Sequence, residues 1–304
     1  MNHDTLLRFM KDQKVPIIIF DEPYFSYFLN LYDKDFQTKK AYDLLCETVT
    51  QFNSESAFLE KYYEIRNEII DKMKELPEYA EFLSCDMSRF KIEEPKLPNA
   101  NKGDVYKMPN IGSYYISIDL QKANFQMLKK FNPNLVLGAN TYEELISQFT
   151  DMEYFKQSKY IRQVIFGNMK PDRQTTMERY YTKQILDLIL KEIELELKDI
   201  AVFTYDEVVI RQQGFVSEDE TEAIKNLIKE KLDLDVSVTS FRLAGIGDKE
   251  YFVKEKQNGS FSMKKVPSIY FAQAYKKYRG LEINENDLLF FYEGNLAKFL
   301  KPLF

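Results

Sequence analysis

The chain has 304 residues, 44% of them hydrophobic and 30% charged, with two cysteines, one histidine and a formal net charge of −6. His3, near the N-terminus, is the sole histidine, which excludes in practice a Ser-His-Asp triad, a Cys-His pair and a histidine-ligated metal; Cys46 and Cys85 are too few for a disulfide framework or a cysteine zinc site. The acidic balance argues against indiscriminate nucleic-acid binding by the whole surface but not against a local basic groove. No apolar run reaches the ~18 residues of a membrane span and no signal-peptide pattern opens the chain, so a cytoplasmic location without a membrane partner is expected.

In chain order, residues 15–20 (VPIIIF) form an apolar run that predicts a short strand, closed by Asp21-Glu22-Pro23. The string IIIFDEP resembles the Walker B strand of ATPases. The chain holds no G-x-x-x-x-G-K-[ST] loop to cradle phosphates, so Asp21 and Glu22 read as a strand exit and a helix start. From residue 24 to 83, apolar and aromatic residues recur at helical spacing, with Ser54 as an N-cap and Pro77 as a stop. Residues 1–90 therefore read as an acidic helical domain. Residues 91–110, with Pro95, Pro98, Asn99, Asn101, Gly103 and Pro109, read as a linker.

Residues 111–120 (IGSYYISIDL) alternate and then become apolar, as a strand entering a core, and deliver Asp119 at its end. A helix is expected over 121–131, a capped helix start at 140–145 and a long helix over 175–198. The segment 156–183 concentrates Lys156, Lys159, Arg162, Lys170, Arg173, Arg179 and Lys183 against only Asp172 and Glu178. In the stretch 202–210 (VFTYDEVVI), β-branched and aromatic residues flank Asp206-Glu207, which predicts a β-hairpin or a sharply kinked strand. Ser217 and the acidic turn after it start a further helix, residues 236–241 alternate as a strand, and Asn258-Gly259 predicts a hairpin over 251–264. Basic residues and Tyr270, Phe271, Tyr275 and Tyr278 then interleave up to Arg279. This order predicts an α+β fold, an antiparallel sheet with helices on one face.

Strand-end carboxylates such as Asp119 and Asp206 repel one another when clustered, and oxygen-preferring divalent cations relieve that repulsion. Two such ions serve phosphoryl transfer by activating an attacking oxygen and stabilising a leaving one, and a basic helix carrying Arg162 and Lys170 suits a triphosphate.

Three segments carry a family resemblance. SIDLQKANFQ (117–126) looks like motif A of template-dependent nucleic-acid polymerases, RQVIFG (162–167) is similar to motif B of the polymerase I-like family, and TYDEVVI (204–210) resembles its motif C. They occur in the family's order. The resemblance implies a palm-like catalytic domain with reduced fingers over 111–248 and a C-terminal hairpin with a basic-aromatic segment over 249–304. It implies that Asp119 and Asp206 bind two Mg²⁺ or Mn²⁺ ions with Glu207 beside them, that Arg162 contacts the triphosphate, and that Phe166 stacks near the nascent base pair. Either Asn124 or Phe125 would meet the ribose 2′-position, Asn124 admitting a hydroxyl and Phe125 excluding it. Lys254, Lys264, Lys265, Tyr275, Lys276 and Lys277 would track a DNA or RNA primer-template.

The chain departs from the family in five respects. Arg162 replaces the usual Lys, Tyr205 the usual His and Asn124 the usual Glu, and no Tyr-Gly follows Phe166-Gly167. The interval from Asp119 to Asp206 is also too short for full fingers, closer to the compact form of reverse transcriptases and RNA-dependent RNA polymerases. The expected activity is nucleotidyl transfer from nucleoside triphosphates. The alternatives are a non-catalytic nucleic-acid-binding protein, one subunit of a split polymerase, a nucleotidyl cyclase or a metal-dependent nuclease.

Overall fold

A computed structural model describes residues 1–98, 104–193 and 195–304. The N-terminal part is helical: α1 (His3–Gln13), α2 (Tyr24–Phe36), α3 (Thr38–Val49), α4 (Glu55–Glu75) and α5 (Pro77–Ser84). Local chemistry sets several of these boundaries. The Asn2 side chain accepts from the Thr5 N–H to start α1, and Ser54 accepts from the Ala57 N–H to start α4. Pro77 occupies the first turn of α5, where its missing N–H costs nothing.

Residues 15–20 form no strand. They run between α1 and α2 without a pairing partner, with Ile17 and Ile19 fully buried. The run is apolar because it anchors the helices, a requirement that alternation alone does not separate from strand pairing.

Then come β1 (Tyr114–Leu120), α6 (Ala123–Phe131), α7 (Tyr142–Ser147), α8 (Glu153–Gln157), α9 (Lys159–Gly167) and α10 (Pro171–Glu192). The hairpin strands β2 (Ile200–Phe203) and β3 (Glu207–Gln212) follow, then α11 (Glu218–Leu232) and β4 (Val236–Ile246). A reciprocal capping box between Ser217 and Glu220 opens α11. The chain ends with β5 (Lys249–Lys256), β6 (Phe261–Lys264), α12 (Phe271–Arg279) and a small hairpin of β7 (Leu289–Tyr292) and β8 (Asn295–Lys298).

The main sheet has six strands in the order β2-β3-β1-β4-β5-β6, and every pairing in it is antiparallel. Its first four strands and their connecting helices give the β-α-β-β-α-β split arrangement. Alternation sorts β1 cleanly. Ile116, Ile118 and Leu120 join Val208, Ile210, Val236 and Val238 in the core with the helices. Tyr115 points the other way, into a second cluster with Val209, Phe241, Leu243, Phe252 and Val105.

The expected division at 248/249 falls inside a hairpin, because β5 and β6 complete the same sheet. The expected 1–90 domain is not separate either: one apolar core runs from Leu6 to Tyr275. Of the expected linker, residues 99–103 lie outside the described residues. Val105 is buried on the sheet and the Tyr106 ring lies beside Phe252, so that end is packed. Among the described residues no helix is long and apolar enough to cross a membrane.

Candidate active site

Two elements bring carboxylates to one end of the sheet. Asp119 is the penultimate residue of β1, on the strand face opposite its buried isoleucines, and stands across from Glu207 in the β1–β3 register. Cross-strand partners of this kind hold their Cβ atoms ~4.5–5.5 Å apart. Asp206 occupies the β2–β3 turn, and its carbonyl accepts the Leu120 N–H at 2.9 Å. The turn tip is thus bonded to the end of β1.

Helix α10 fixes the turn from the other side. Thr182 Oγ1 donates to the Tyr205 carbonyl at 2.8 Å, and the Arg179 guanidinium lies over the Phe203 and Tyr205 rings. Tyr205 itself is exposed.

The electrostatics follow from that convergence. Burial, then the charges of Asp206 and Glu207, push the Asp119 carboxyl up from 3.8 to about 6. Asp119 accepts no hydrogen bond from a described residue. Glu178 on α10 is the fourth carboxylate of the group. Burial and the Asp206 charge raise it to about 7, and the Asn124 Nδ2 donates to its Oε1 at 3.2 Å.

Glu207 is held differently. Ser117 Oγ donates to its Oε1, and the Lys254 ammonium stands 3.9 Å from the same oxygen. Lys254 is nearly buried, lies over the Phe241 ring at 4.4 Å, and is lowered to about 8 by desolvation. Glu207 is therefore a partnered carboxylate, whereas Asp119 has no donor among the described residues.

Cations complete the rim. Lys159 opens α9 and Arg162 follows one turn later, over the Tyr142 ring; the charges of Lys159 and Asp119 act on one another. Among the described residues no group of three or more His, Cys, Asp or Glu side chains forms a ready metal cage. The donors that do converge are oxygens of Asp119 and Asp206, hard ligands suited to Mg²⁺ or Mn²⁺ once substrate oxygens join them. Lys254 and Lys159 offset the repulsion at Asp119 only in part, and what remains is the chemistry a divalent cation would satisfy.

Several expected roles do not survive the packing. Phe166 and Phe125 are both buried, with ring centroids 6.1 Å apart, so neither offers a face to a base or a sugar. Asn124 is exposed and is the one of the 124/125 pair that faces outward. Lys170 is exposed at the start of α10 and pairs with Asp172 at 3.5 Å.

In the C-terminal segment the Tyr275 hydroxyl donates to Asp35, and Lys276 makes a buried ion pair with Asp287 at 2.6 Å. Both are structural, not nucleic-acid contacts. Lys254 belongs to Glu207, and Lys265 bonds the Tyr106 carbonyl and Asp104. Lys264 approaches the Tyr106 ring, and Lys277 is exposed.

Glu178 was not among the expected site residues, although its position carried a signal. Counting back by threes and fours from Ile189 and Ile185 reaches Thr182, Glu178 and Gln174, three polar residues on the buried face of α10. No protein-family model, curated protein or solved structure matches the chain.

Proposed function

We propose that the chain is a palm-type nucleotidyltransferase, and within that class a template-dependent DNA or RNA polymerase that uses nucleoside triphosphates and two divalent metals held by Asp119 and Asp206. The observation that carries this reading is the bonding of the Asp206 turn to the end of β1, beside an Asp119 that accepts no hydrogen bond from a described residue. The strand order β2-β3-β1-β4 supports it, since it brings the resembling motif A and motif C segments onto neighbouring strands.

Bound divalent ions would supply activation of the attacking 3′-oxygen and stabilisation of the leaving oxygen. The protein's own residues do the rest. Ser117 and Lys254 fix the Glu207 carboxylate, which keeps negative charge beside Asp119 and favours cation binding there. Thr182 and Arg179 keep the Asp206 turn from moving. Asn124, presented outward and bonded to Glu178, is a polar neighbour that tolerates a ribose 2′-hydroxyl, so ribonucleotides are expected as substrates.

The test is extension of a primed template with Mg²⁺ or Mn²⁺, in parallel with ribo- and deoxyribonucleotides. Extension is expected in the wild type and should fall to background in Asp206→Asn. If wild type and variant extend alike, or neither extends while the wild type still binds primer-template, the chain is a binding protein or one part of a split enzyme.

A further inference from the structure

Within the N-terminal helices, the buried Asp12 accepts hydrogen bonds from Tyr62 Oη and Ser158 Oγ, each at 2.6 Å, and from Tyr154 Oη at 2.9 Å. Ser158 is also the N-cap of α9, its Oγ accepting from the Ile161 N–H at 3.0 Å. This knot ties the last turn of α1 to the first turn of α9, and the residues just beyond it on each side are cations. Lys14 follows α1 in a left-handed conformation that turns the chain away, and Lys159 follows Ser158. The Asp12–Ser158 bond sets the two lysines side by side where α1 meets α9, and Arg162 lies one helical turn beyond Lys159.

Two ammonium groups have donors and no acceptor, so such a contact is repulsive unless a proton leaves or an anion bridges it. None of the three makes an ion pair with a described carboxylate. Surface lysines normally swing into water to escape this. Lys159 is half-buried at the start of a helix held by the Asp12 knot, which limits that escape. Desolvation and the two neighbouring cations lower its amine to about 8.

We infer that Lys14, Lys159 and Arg162 form a site for an oligophosphate anion, pyrophosphate or the phosphate tail of a nucleotide. Lys14 lies outside every segment that carries the family resemblance and brings α1 into the site. Three donors-only cations around one anion give the charge-assisted hydrogen bonds that phosphate oxygens favour. The inference deepens the transferase reading by naming what holds the phosphates, and it rests on that reading only for the identity of the nucleotide.

The test uses the full chain in EDTA, titrated separately with inorganic pyrophosphate and with a nucleoside triphosphate. Two signals are read: the thermal unfolding midpoint, and acetylation of Lys159 by an amine-reactive ester, followed by mass spectrometry. Pyrophosphate should raise the midpoint and slow Lys159 acetylation by about fivefold at saturation. In Lys14→Gln the affinity should weaken by about tenfold; Lys159→Gln should lose the midpoint shift, and exposed Lys277→Gln should keep it.

A wild type indifferent to pyrophosphate overturns the inference, as does an equal response in all three variants, which would mean diffuse surface attraction. A response to the triphosphate alone would assign the contacts to the nucleoside and also overturn it. Pyrophosphate binding without primer extension would leave the site standing and remove the transferase reading. Extension with an unchanged KM for the triphosphate in Lys14→Gln and Lys159→Gln would do the reverse.

Discussion

Asp12 and Asp119 are the same residue in two opposite solutions to burial. Asp12 is almost wholly buried and receives three hydroxyl donors, so its charge is distributed into bonds that lock α1, α4, α8 and α9 together. Asp119 is less buried, receives no described donor and stands next to two more carboxylates. A carboxylate that serves the fold is given partners; on the proposed function Asp119 is left short of them because the missing partner is the ligand.

The comparison can be broken by mutation, and the largest effect belongs to Asp12. Asp12→Ala strands the hydroxyls of Tyr62, Tyr154 and Ser158 and should cost about 3–4 kcal/mol in urea unfolding. A cost below about 1 kcal/mol would remove the structural half of the contrast. Lys276→Ala should cost about 3 kcal/mol by leaving Asp287 buried and uncompensated. Lys277→Ala, one residue on and exposed, should be near neutral, which separates the structural from the solvated members of the basic-aromatic run.

Mg²⁺ sharpens the other half. A saturating ion that binds only the native state stabilises it by about 2.7 kcal/mol at a hundredfold excess over Kd. That rise should be seen calorimetrically in the wild type and be absent in Asp119→Asn.

The smallest effect has the most telling sign. Without metal, Asp119→Asn should stabilise the chain at pH 7.5, by roughly 1–2 kcal/mol after allowing for solvent screening at a part-exposed group. The folded value of Asp119 is about 6 against an ordinary 3.8, and that of Glu178 about 7 against 4.5. Both carboxyls hold their protons longer when folded. Their contribution is therefore intact below about pH 4 and is lost as pH rises through 6 and 7. The metal-free stability profile should slope downward across that window, and Asp119→Asn with Glu178→Gln should flatten it.

How much of this was legible in the sequence depended on whether the determinant was local. Strand β1, the Asp206 turn, the Ser217 capping box and the Asn258-Gly259 hairpin are written in alternation, caps and turn chemistry, all within a few residues. Tyr275 and Lys276 looked like a nucleic-acid surface because composition does not reveal that Asp35 and Asp287 wait for them from distant segments. Phe166 misled for the same reason: its neighbours Phe125 and Tyr142 are tertiary. Glu178 and Lys14 were readable only in part, as a polar residue on an apolar stripe and as the residue after a helix.

The position of β1 also governs how the molecule is made. Its register pairs Asp119 with Glu207 on one side and Ser237 on the other, both remote in sequence, with helices α6 to α10 lying between β1 and β2. Those helices can form early from local contacts, whereas β1 must wait for two large loops to close. The acid pair is therefore absent from any state in which the sheet is open. Refolding should regain helical ellipticity well before it regains the proposed Mg²⁺-dependent rise in stability, which needs the closed sheet.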